Sequence, residues 1–223
     1  MNVTLTTYTE SPVEAIERAA ANCYDSTPSD DGRIMDSCYR SGHHSVLEFC
    51  DFTFHVEGVS RALTHQLVRS RLASFAQRSQ RYCNEDEFEY CTPRSISIKD
   101  DAAVIYKELH EKIRDTYKAL VNTGVPKEDA RFILPNSCCS TIEVKMNLRE
   151  LIHFMNFRLC SRAQWEIREL AQHMKSEVIK VAPQLERYLV PKCEAHSPYN
   201  FCTEHKSCGR HPILKDIFKG ESK

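Results

Sequence analysis

The stretch from Gln66 to Tyr82, QLVRSRLASFAQRSQRY, decides which fold we expect for this chain. It holds four arginines, three glutamines and three serines in seventeen positions, and no carboxylate. Fixed cations with forked donors suit phosphates and nucleobases. Arginine is rarely buried without a partner, so the stretch is unlike a core helix. Its composition also allows a solvated basic face, but the interleaved glutamines and serines favour a nucleotide pocket.

This stretch resembles the signature of the flavin-dependent thymidylate synthases, the ThyX family. That signature runs Arg-His-Arg, two residues, Ser, one residue, Asn-Glu or a variant, one residue, Ser, one residue and Arg-Tyr. Two positions depart from it, because Ser70 stands where His is usual and Gln77 where Glu is common. The rest of the frame is kept by Arg69, Arg71, Ser74, Ser79, Arg81 and Tyr82.

Other segments between about residues 40 and 170 resemble the same family in the same order. One departure recurs here, because Phe49 follows Glu48 where the family usually has His. The matching segments are 42–48 (GHHSVLE), 52–54 (FTF), 130–136 (ARFILPN), 156–158 (NFR) and 162–168 (RAQWEIR).

The resemblance implies a fold, an activity and an assembly. The fold is α+β, a twisted, mainly antiparallel sheet packed against long helices, and the absence of regular βαβ spacing favours the same class. We expect it to occupy residues 1–190, followed by a Cys/His-containing tail over residues 191–223. The implied activity is methylation of dUMP to dTMP, with carbon from methylenetetrahydrofolate and hydride from FAD reduced by NADPH. The implied assembly is a homotetramer whose active sites are shared between subunits.

Apolar periodicity places the elements more locally. Ser11, Pro12 and Glu14 have the pattern of a helix start with a capping box. A helix over residues 100–122 is expected to bury Ile105 and Leu109 and to end before Gly124. Other helices are predicted over residues 12–22, 31–41, 59–71 and 162–182 and from residue 147, and strands near residues 3–5, 52–56, 88–91 and 142–146.

The resemblance assigns a dUMP site, in which side chains position the nucleotide and stabilise charge on its carbonyl oxygens. Gln66 suits a uracil edge, because an amide both donates and accepts. Arg81 would hold a phosphate or carbonyl group, with a surface salt bridge as the alternative, and Ser79 is expected to bind ligand rather than to act as a nucleophile. The predicted catalytic residues are Arg168, Ser79 and Arg81, and the predicted dUMP ligands are Gln66, Arg69, Gln77, Ser79, Arg81 and Arg168.

For FAD, the resemblance implies contacts from two segments and from the arginine-rich stretch. Asn156 and Arg158 would approach the cofactor from another subunit, although a plain helix surface is the alternative. Adjacent His43 and His44 cannot easily share one ion, so we predict no metal there. The predicted FAD ligands are His43, Ser45, Glu48, Arg69, Arg71, Asn156 and Arg158.

The departures at Phe49 and Ser70 leave other functions open. Each removes an imidazole, and serine replaces neither its stacking area nor its titratable charge. We therefore keep two alternatives: a C5 methylase of another pyrimidine nucleotide such as UMP, and a catalytically impaired flavin- or nucleotide-binding homologue.

Bulk composition narrows the partners. Lys plus Arg number 30 against 31 for Asp plus Glu, which weakens nucleic acid as a partner. Neither a long apolar run nor a charged-then-apolar leader is present, so we expect no membrane partner and a cytoplasmic protein.

The 11 cysteines are expected to be free thiols. In the tail, Cys193, Cys202, Cys208, His196, His205 and His211 leave zinc binding open, although without a CxxC pair a loosely packed tail is favoured.

Overall fold

The computed structural model describes residues 1–29 and 31–219. It contains a sheet of four strands, β1 (Asn2–Tyr8), β2 (Asp51–Ser60), β3 (Ala73–Gln77) and β4 (Cys139–Asn147), in the order β1-β2-β4-β3. Side chains of β1 at residues 2 and 6 contact residues 57 and 53 of β2, so these two strands are antiparallel. Residues 55 and 51 of β2 contact residues 143 and 145 of β4, so this pair is antiparallel as well. The predicted α+β fold is confirmed.

The helices account for most of the remaining regular structure. The predicted tail runs past Lys219, and its residues 220–223 lie outside the described part of the chain. Short 3-10 turns occupy His44–Phe49, Arg131–Ile133, Pro183–Tyr188 and Lys192–Glu194. The α-helices are α1 (Pro12–Cys23), α2 (Arg33–Arg40), α3 (Arg61–Leu67), α4 (Arg94–Ser97), α5 (Asp100–Asn122), α6 (Lys127–Ala130), α7 (Leu148–Arg158), α8 (Trp165–Val181) and α9 (Leu214–Lys219).

The chain divides into two compact units. Unit 1 comprises residues 1–2, 55–69 and 75–143, and within it α5 contacts α4, α6 and the turn at residues 131–133. Unit 2 comprises residues 3–54, 70–74 and 144–223, and within it α7 contacts α8 and the turns at residues 44–49 and 192–194.

The two central strands were predicted from their alternation, and the structure confirms them. Phe52 and Phe54 of β2 are fully buried, as is Ile142 of β4, whereas the alternate residues His55 and Glu143 remain partly accessible. Burying a large apolar side chain stabilises the fold by about 1.5–3 kcal/mol. These strands therefore carry much of the core.

Helix starts are confirmed in part. The Asn147 side chain accepts a 2.9 Å hydrogen bond from the Glu150 amide, as a helix cap should. The capping box at Ser11 is wrong, because Ser11 has a left-handed backbone (φ 46°) and its side chain makes no capping bond. Helix α1 still begins at Pro12, whose ring fixes φ in the helical range.

Three element predictions need correction. Helix α3 is shorter than expected, because Ser60 is still extended in β2 and caps the helix at the Leu63 amide, 3.0 Å away. The strand expected over residues 88–91 is reduced to a single bridge from Tyr90 to Cys138. The region after residue 71, for which no strand was predicted, contains β3.

The apolar face of α5 is not buried as predicted. Ile105 and Leu109 are 68% and 53% exposed, whereas His110 and Tyr117 are the buried residues of this helix. The helix does end as expected, with Gly124 in a left-handed conformation (φ +89°) just beyond it. Within the described residues, no helix is both long enough and apolar enough to cross a membrane.

Candidate functional site

The arginine-rich stretch in unit 1 begins at the end of α3. Gln66 is half-buried, and its amide makes a long 3.5 Å contact with the Ala62 carbonyl. Arg69 lies in the turn after the helix, where its backbone N–H donates to the Gln66 carbonyl at 3.3 Å. Its side chain is exposed and has no hydrogen bond or ion pair within the described part of the chain. Arg69 therefore offers an uncommitted guanidinium three residues after the Gln66 amide in sequence.

Gln77 ends β3 and is held by two hydroxyls. Its Nε2 donates to Thr64 Oγ1 and to Ser140 Oγ, both at 3.1 Å. Thr64 comes from α3 and Ser140 from the buried face of β4, so these bonds join three elements of unit 1. Gln77 thus supports the site internally, and its carbonyl oxygen remains for a ligand.

Arg81 and Ser79 lie in the turn that follows. The Arg81 guanidinium approaches one Glu128 carboxylate oxygen at 3.0 Å through both Nε and a terminal nitrogen, and lies 5.3 Å from the Tyr82 ring centroid. This is the surface salt bridge that the sequence left as an alternative. Ser79 Oγ accepts the Arg81 backbone N–H at 3.3 Å, and no described base contacts it. The geometry gives no support for a serine nucleophile.

A buried carboxylate fixes the same turn. Glu85 is 2% exposed and forms an ion pair with Arg78, which also donates to the Asn84 carbonyl at 3.1 Å. The hydrogen bond to Glu85 raises the pKa of Arg78, so this cation is committed to structure. Of the four arginines in the stretch, two are therefore paired inside unit 1.

Unit 2 carries most of the predicted FAD ligands. The turn at residues 44–49 follows Gly42, whose φ of +79° suits glycine. His43 and Ser45 are exposed on this turn, whereas Glu48 pairs with Arg149 at 2.6 Å. Arg71 is exposed, and no described group hydrogen-bonds its side chain or pairs with it.

The second FAD segment, at the end of α7, is only partly available. The Asn156 amide donates to the Ile152 and Val190 carbonyls at 2.9 and 3.2 Å, which supports a role in positioning the chain. Arg158 is half-buried and borders a cavity of about 320 Å³. Asn156 borders the same cavity.

Arg168 lies in the first turn of α8 and donates to the Ser161 carbonyl at 2.7 Å. Arg162 was expected on the same helix, but α8 begins at Trp165 and Arg162 instead pairs with Glu204 at 3.5 Å. Trp165, the first residue of α8, is 39% exposed. Helix α8 starts late because the Gln164 side chain caps it.

The buried thiols are unsuited to attack on a pyrimidine ring. Burial raises the pKa of Cys50 and of Cys138 to about 12. The thiolate is the nucleophilic form, so both thiols are inert near neutral pH. Their environment argues against a cysteine-nucleophile mechanism at these two positions.

Fold and site together define an α+β protein with an exposed, arginine-rich turn suited to anions. A family model described as "Thymidylate synthase complementing protein" (Thy1) matches residues 4–184. The chain belongs to this family, and the predicted ThyX resemblance is confirmed at that level.

Relatives agree with the family assignment. The chain is 41% identical to the flavin-dependent thymidylate synthase of Geobacter sulfurreducens, over 98% of each chain. It is 37% identical to that of Clostridium tetani, over 98% of this chain and 97% of the other. A crystal structure of ThyX from Helicobacter pylori with FAD and dUMP matches with a TM-score of 0.71 and 21% identity, covering 85% of this chain and 99% of that one. At that identity the structural match supports the fold alone.

Sequence reasoning missed several side chains that hold the predicted ligands in place. Ser140 shares its strand parity with Ile142, so the alternation of β4 could have placed it on the inner face. Glu128 carried no local signal, because it lies 47 residues from Arg81. Thr64 lies 13 residues from Gln77 and Glu85 seven residues from Arg78, and the apolar pattern predicts neither pairing.

Proposed function

We propose that this protein is a flavin-dependent thymidylate synthase, which methylates dUMP to dTMP using methylenetetrahydrofolate as carbon donor and NADPH as reductant. The observation that carries the proposal is the pair of uncommitted guanidiniums, Arg69 and Arg71, within the stretch that resembles the family signature. The similarity of the Geobacter sulfurreducens and Clostridium tetani enzymes along almost the whole chain supports the same activity.

The donor set fits FAD. A dinucleotide presents a diphosphate and ring carbonyl oxygens, and free guanidiniums bind both. His43, Ser45, Arg69 and Arg71 are accessible for such contacts, and Arg158 borders a cavity. When bound, the flavin supplies hydride, which no side chain can do. The proposed FAD ligands remain His43, Ser45, Glu48, Arg69, Arg71, Asn156 and Arg158, with Glu48 and Asn156 first held by other groups of the chain.

For dUMP, the side chains orient the ring and balance charge. Gln66 and Gln77 can bind the uracil edge, while Arg81 and Arg168 carry fixed positive charge towards phosphate or carbonyl oxygens. Ser79 adds a hydroxyl that can bind the nucleotide. We propose Arg168, Ser79 and Arg81 as the catalytic residues in this positioning sense.

The assembly and the cellular setting are part of the proposal. Val104, Ile105 and Leu109 leave an exposed apolar stripe on α5, which a second subunit could cover. We propose a homotetramer with active sites shared between subunits, in the cytoplasm. We also propose that Ser70 replaces the histidine that the family usually has in its Arg-His-Arg triplet.

Tritium release from C5-labelled dUMP tests this function. Purified protein is incubated with FAD, NADPH and methylenetetrahydrofolate, and each component is omitted in turn. Release that needs every component supports the synthase. Release from labelled UMP alone moves the assignment to another pyrimidine nucleotide. No release from either, with FAD and dUMP still bound, contradicts the synthase and supports the impaired homologue.

A further inference from the structure

The tail brings together three side chains with metal-ligating atoms. Cys193, Glu194 and His211 each offer one such atom, and these atoms all lie within 4.8 Å of one another. The His211 Nε2 lies 3.4 Å from a Glu194 carboxylate oxygen. All three residues are partly buried. Among the described residues, it is the one cluster in which at least three such side chains lie close enough to hold a metal ion.

Local structure holds these ligands in place. Cys193 and Glu194 form a 3-10 turn with Lys192, so their backbones are fixed together. His211 follows 17 residues after Glu194, and its carbonyl accepts a 2.5 Å hydrogen bond from Ser207 Oγ. The next residue, Pro212, accepts the Cys202 N–H at 2.8 Å. These bonds close the segment from residue 202 to 212 on itself.

The donor chemistry selects a borderline-soft cation. Thiolate, imidazole and carboxylate are the ligand types that bind Zn²⁺, whereas Ca²⁺ and Mg²⁺ require oxygen ligands. Bond lengths of about 2.0–2.3 Å to a tetrahedral zinc place its ligand atoms about 3.3–3.8 Å apart. The observed cluster therefore needs only a small closure to hold the ion.

A fourth ligand is available nearby. Cys193 and His211 of the cluster border the cavity of about 320 Å³ in unit 2, and so do Cys160, Cys202 and Cys208. One of these thiols, or a water molecule, completes a tetrahedron. A competing cation is also present, because Arg210 lies 3.6 Å from the Glu194 carboxylate.

We propose that Cys193, Glu194 and His211 form a zinc site that anchors the tail. Bound Zn²⁺ joins the turn at residues 192–194 to the segment around His211, and Arg210 moves off Glu194. The same cavity is bordered by Asn156 and Arg158 of α7, so the ion fixes one wall of a proposed cofactor-binding region. The site is structural, because the ion joins two segments of the tail and needs no reactant.

Metal analysis of the full-length protein tests this site. The protein is purified without chelator, dialysed and assayed for zinc, and apoprotein is titrated with CoCl₂ to detect a thiolate-to-cobalt charge-transfer band. We expect about one Zn²⁺ per chain and a clear cobalt band. Cys193→Ser and His211→Gln are each expected to lower retained zinc at least about tenfold. Cys23→Ser, which removes an exposed thiol of α1, serves as the matched control and is expected to bind as the wild type does.

Two further measurements test the zinc site even if a ligand variant folds poorly. ZnCl₂ is expected to raise the melting temperature of wild-type apoprotein and of Cys23→Ser, but not of His211→Gln. Arg210→Ala is expected to bind Zn²⁺ at least as tightly as wild type, because the competing cation is gone. Absence of zinc and of a cobalt band, or an unchanged band in Cys193→Ser, overturns the proposal. Tritium release by zinc-free protein leaves the proposed synthase standing and so separates the two.

Discussion

Arg81 and Glu128 are joined by two 3.0 Å contacts, in which Nε and a terminal nitrogen of the guanidinium approach the same carboxylate oxygen. Both side chains are about half exposed. An exposed pair of this kind contributes only about 0–1 kcal/mol. A phosphate or uracil carbonyl can therefore replace Glu128 at little cost, and the pair leaves Arg81 accessible.

Arg81→Ala is expected to weaken dUMP binding about 10- to 100-fold, because a hydrogen bond to a charged group contributes about 1.5–3 kcal/mol. Glu128→Gln is expected to tighten it by up to about fivefold, because Arg81 no longer has to leave a carboxylate. Calorimetric titration with dUMP measures both. Glu87→Gln is the control, since Glu87 pairs with Lys118 in the same unit. Unchanged affinity in Arg81→Ala removes Arg81 from the proposed site.

Gln77→Leu is expected to destabilise the fold by about 1–3 kcal/mol, because it leaves the Thr64 and Ser140 hydroxyls without their amide partner. Gln77→Glu is expected to be tolerated better, since the Ser140 hydroxyl can reverse and donate to the carboxylate, although the Thr64 hydroxyl already donates to the Arg61 carbonyl. Urea unfolding followed by circular dichroism measures both. Gln184→Leu, at an exposed position, is the control. Equal loss in the Leu and Glu variants contradicts this account.

Ile105→Lys is expected to shift the protein to a smaller assembly, because it places a charge in the exposed apolar stripe of α5. Glu10→Lys introduces the same residue at an exposed position between β1 and α1, away from this stripe in sequence, and is expected to leave the assembly intact. Light scattering coupled to gel filtration gives the mass of each. A wild-type mass for Ile105→Lys places the proposed subunit contact elsewhere.

The His55 ring bonds to Glu143 at 2.5 Å and lies 3.4 Å from Glu57, and these carboxylates raise the pKa of His55 above its ordinary 6.5. A raised folded-state pKa stabilises the protein below 6.5, and that stabilisation is lost as pH rises through the folded-state value. The free energy of unfolding of wild type relative to His55→Gln is therefore expected to be largest near about pH 5.5 and to shrink by about pH 9.

NMR titration of His55 checks the cause of this pH dependence. In Glu143→Gln, the pKa of His55 is expected to fall towards its ordinary value, because the hydrogen bond to the charged Glu143 carboxylate is the main cause of the raised pKa. A His55→Gln variant whose stability relative to wild type does not change between these pH values contradicts the assignment.

Particular residues show what the sequence could predict. Phe52, Phe54 and Ile142 alternate with polar neighbours, so β2 and β4 were evident before the structure. Strand β3 was missed because its residues lie inside an arginine-rich stretch, and their extended form depends on pairing with β4. For Ile105 on α5, periodicity identified the apolar face but could not say whether this chain covers it.

The candidate site residues also divide into those that the sequence could predict and those that it could not. The motif identified Gln66, Arg69 and Arg81 by residue type and spacing. The motif could not show that Arg81 forms an ion pair with Glu128, because that contact depends on the folding of a chain segment of 47 residues. The clustering of Cys193 with His211 likewise arises from chain folding, since neither belongs to a CxxC pair.

Ser70→His is expected to raise turnover about tenfold without changing dUMP affinity. Ser70 is half-buried in the turn between α3 and β3, with exposed Arg69 and Arg71 on either side in sequence. An imidazole there adds a hydrogen bond to a charged group, which contributes about 1.5–3 kcal/mol, and a titratable charge. Tritium release gives the turnover, and calorimetry gives the dUMP affinity. Ser70→Gln, which adds polar bulk without a titratable ring, is the control. If Ser70→His binds dUMP as the wild type does and is no faster, the missing imidazole does not limit catalysis; if Ser70→Gln is equally fast, hydrogen bonding rather than titration explains the gain.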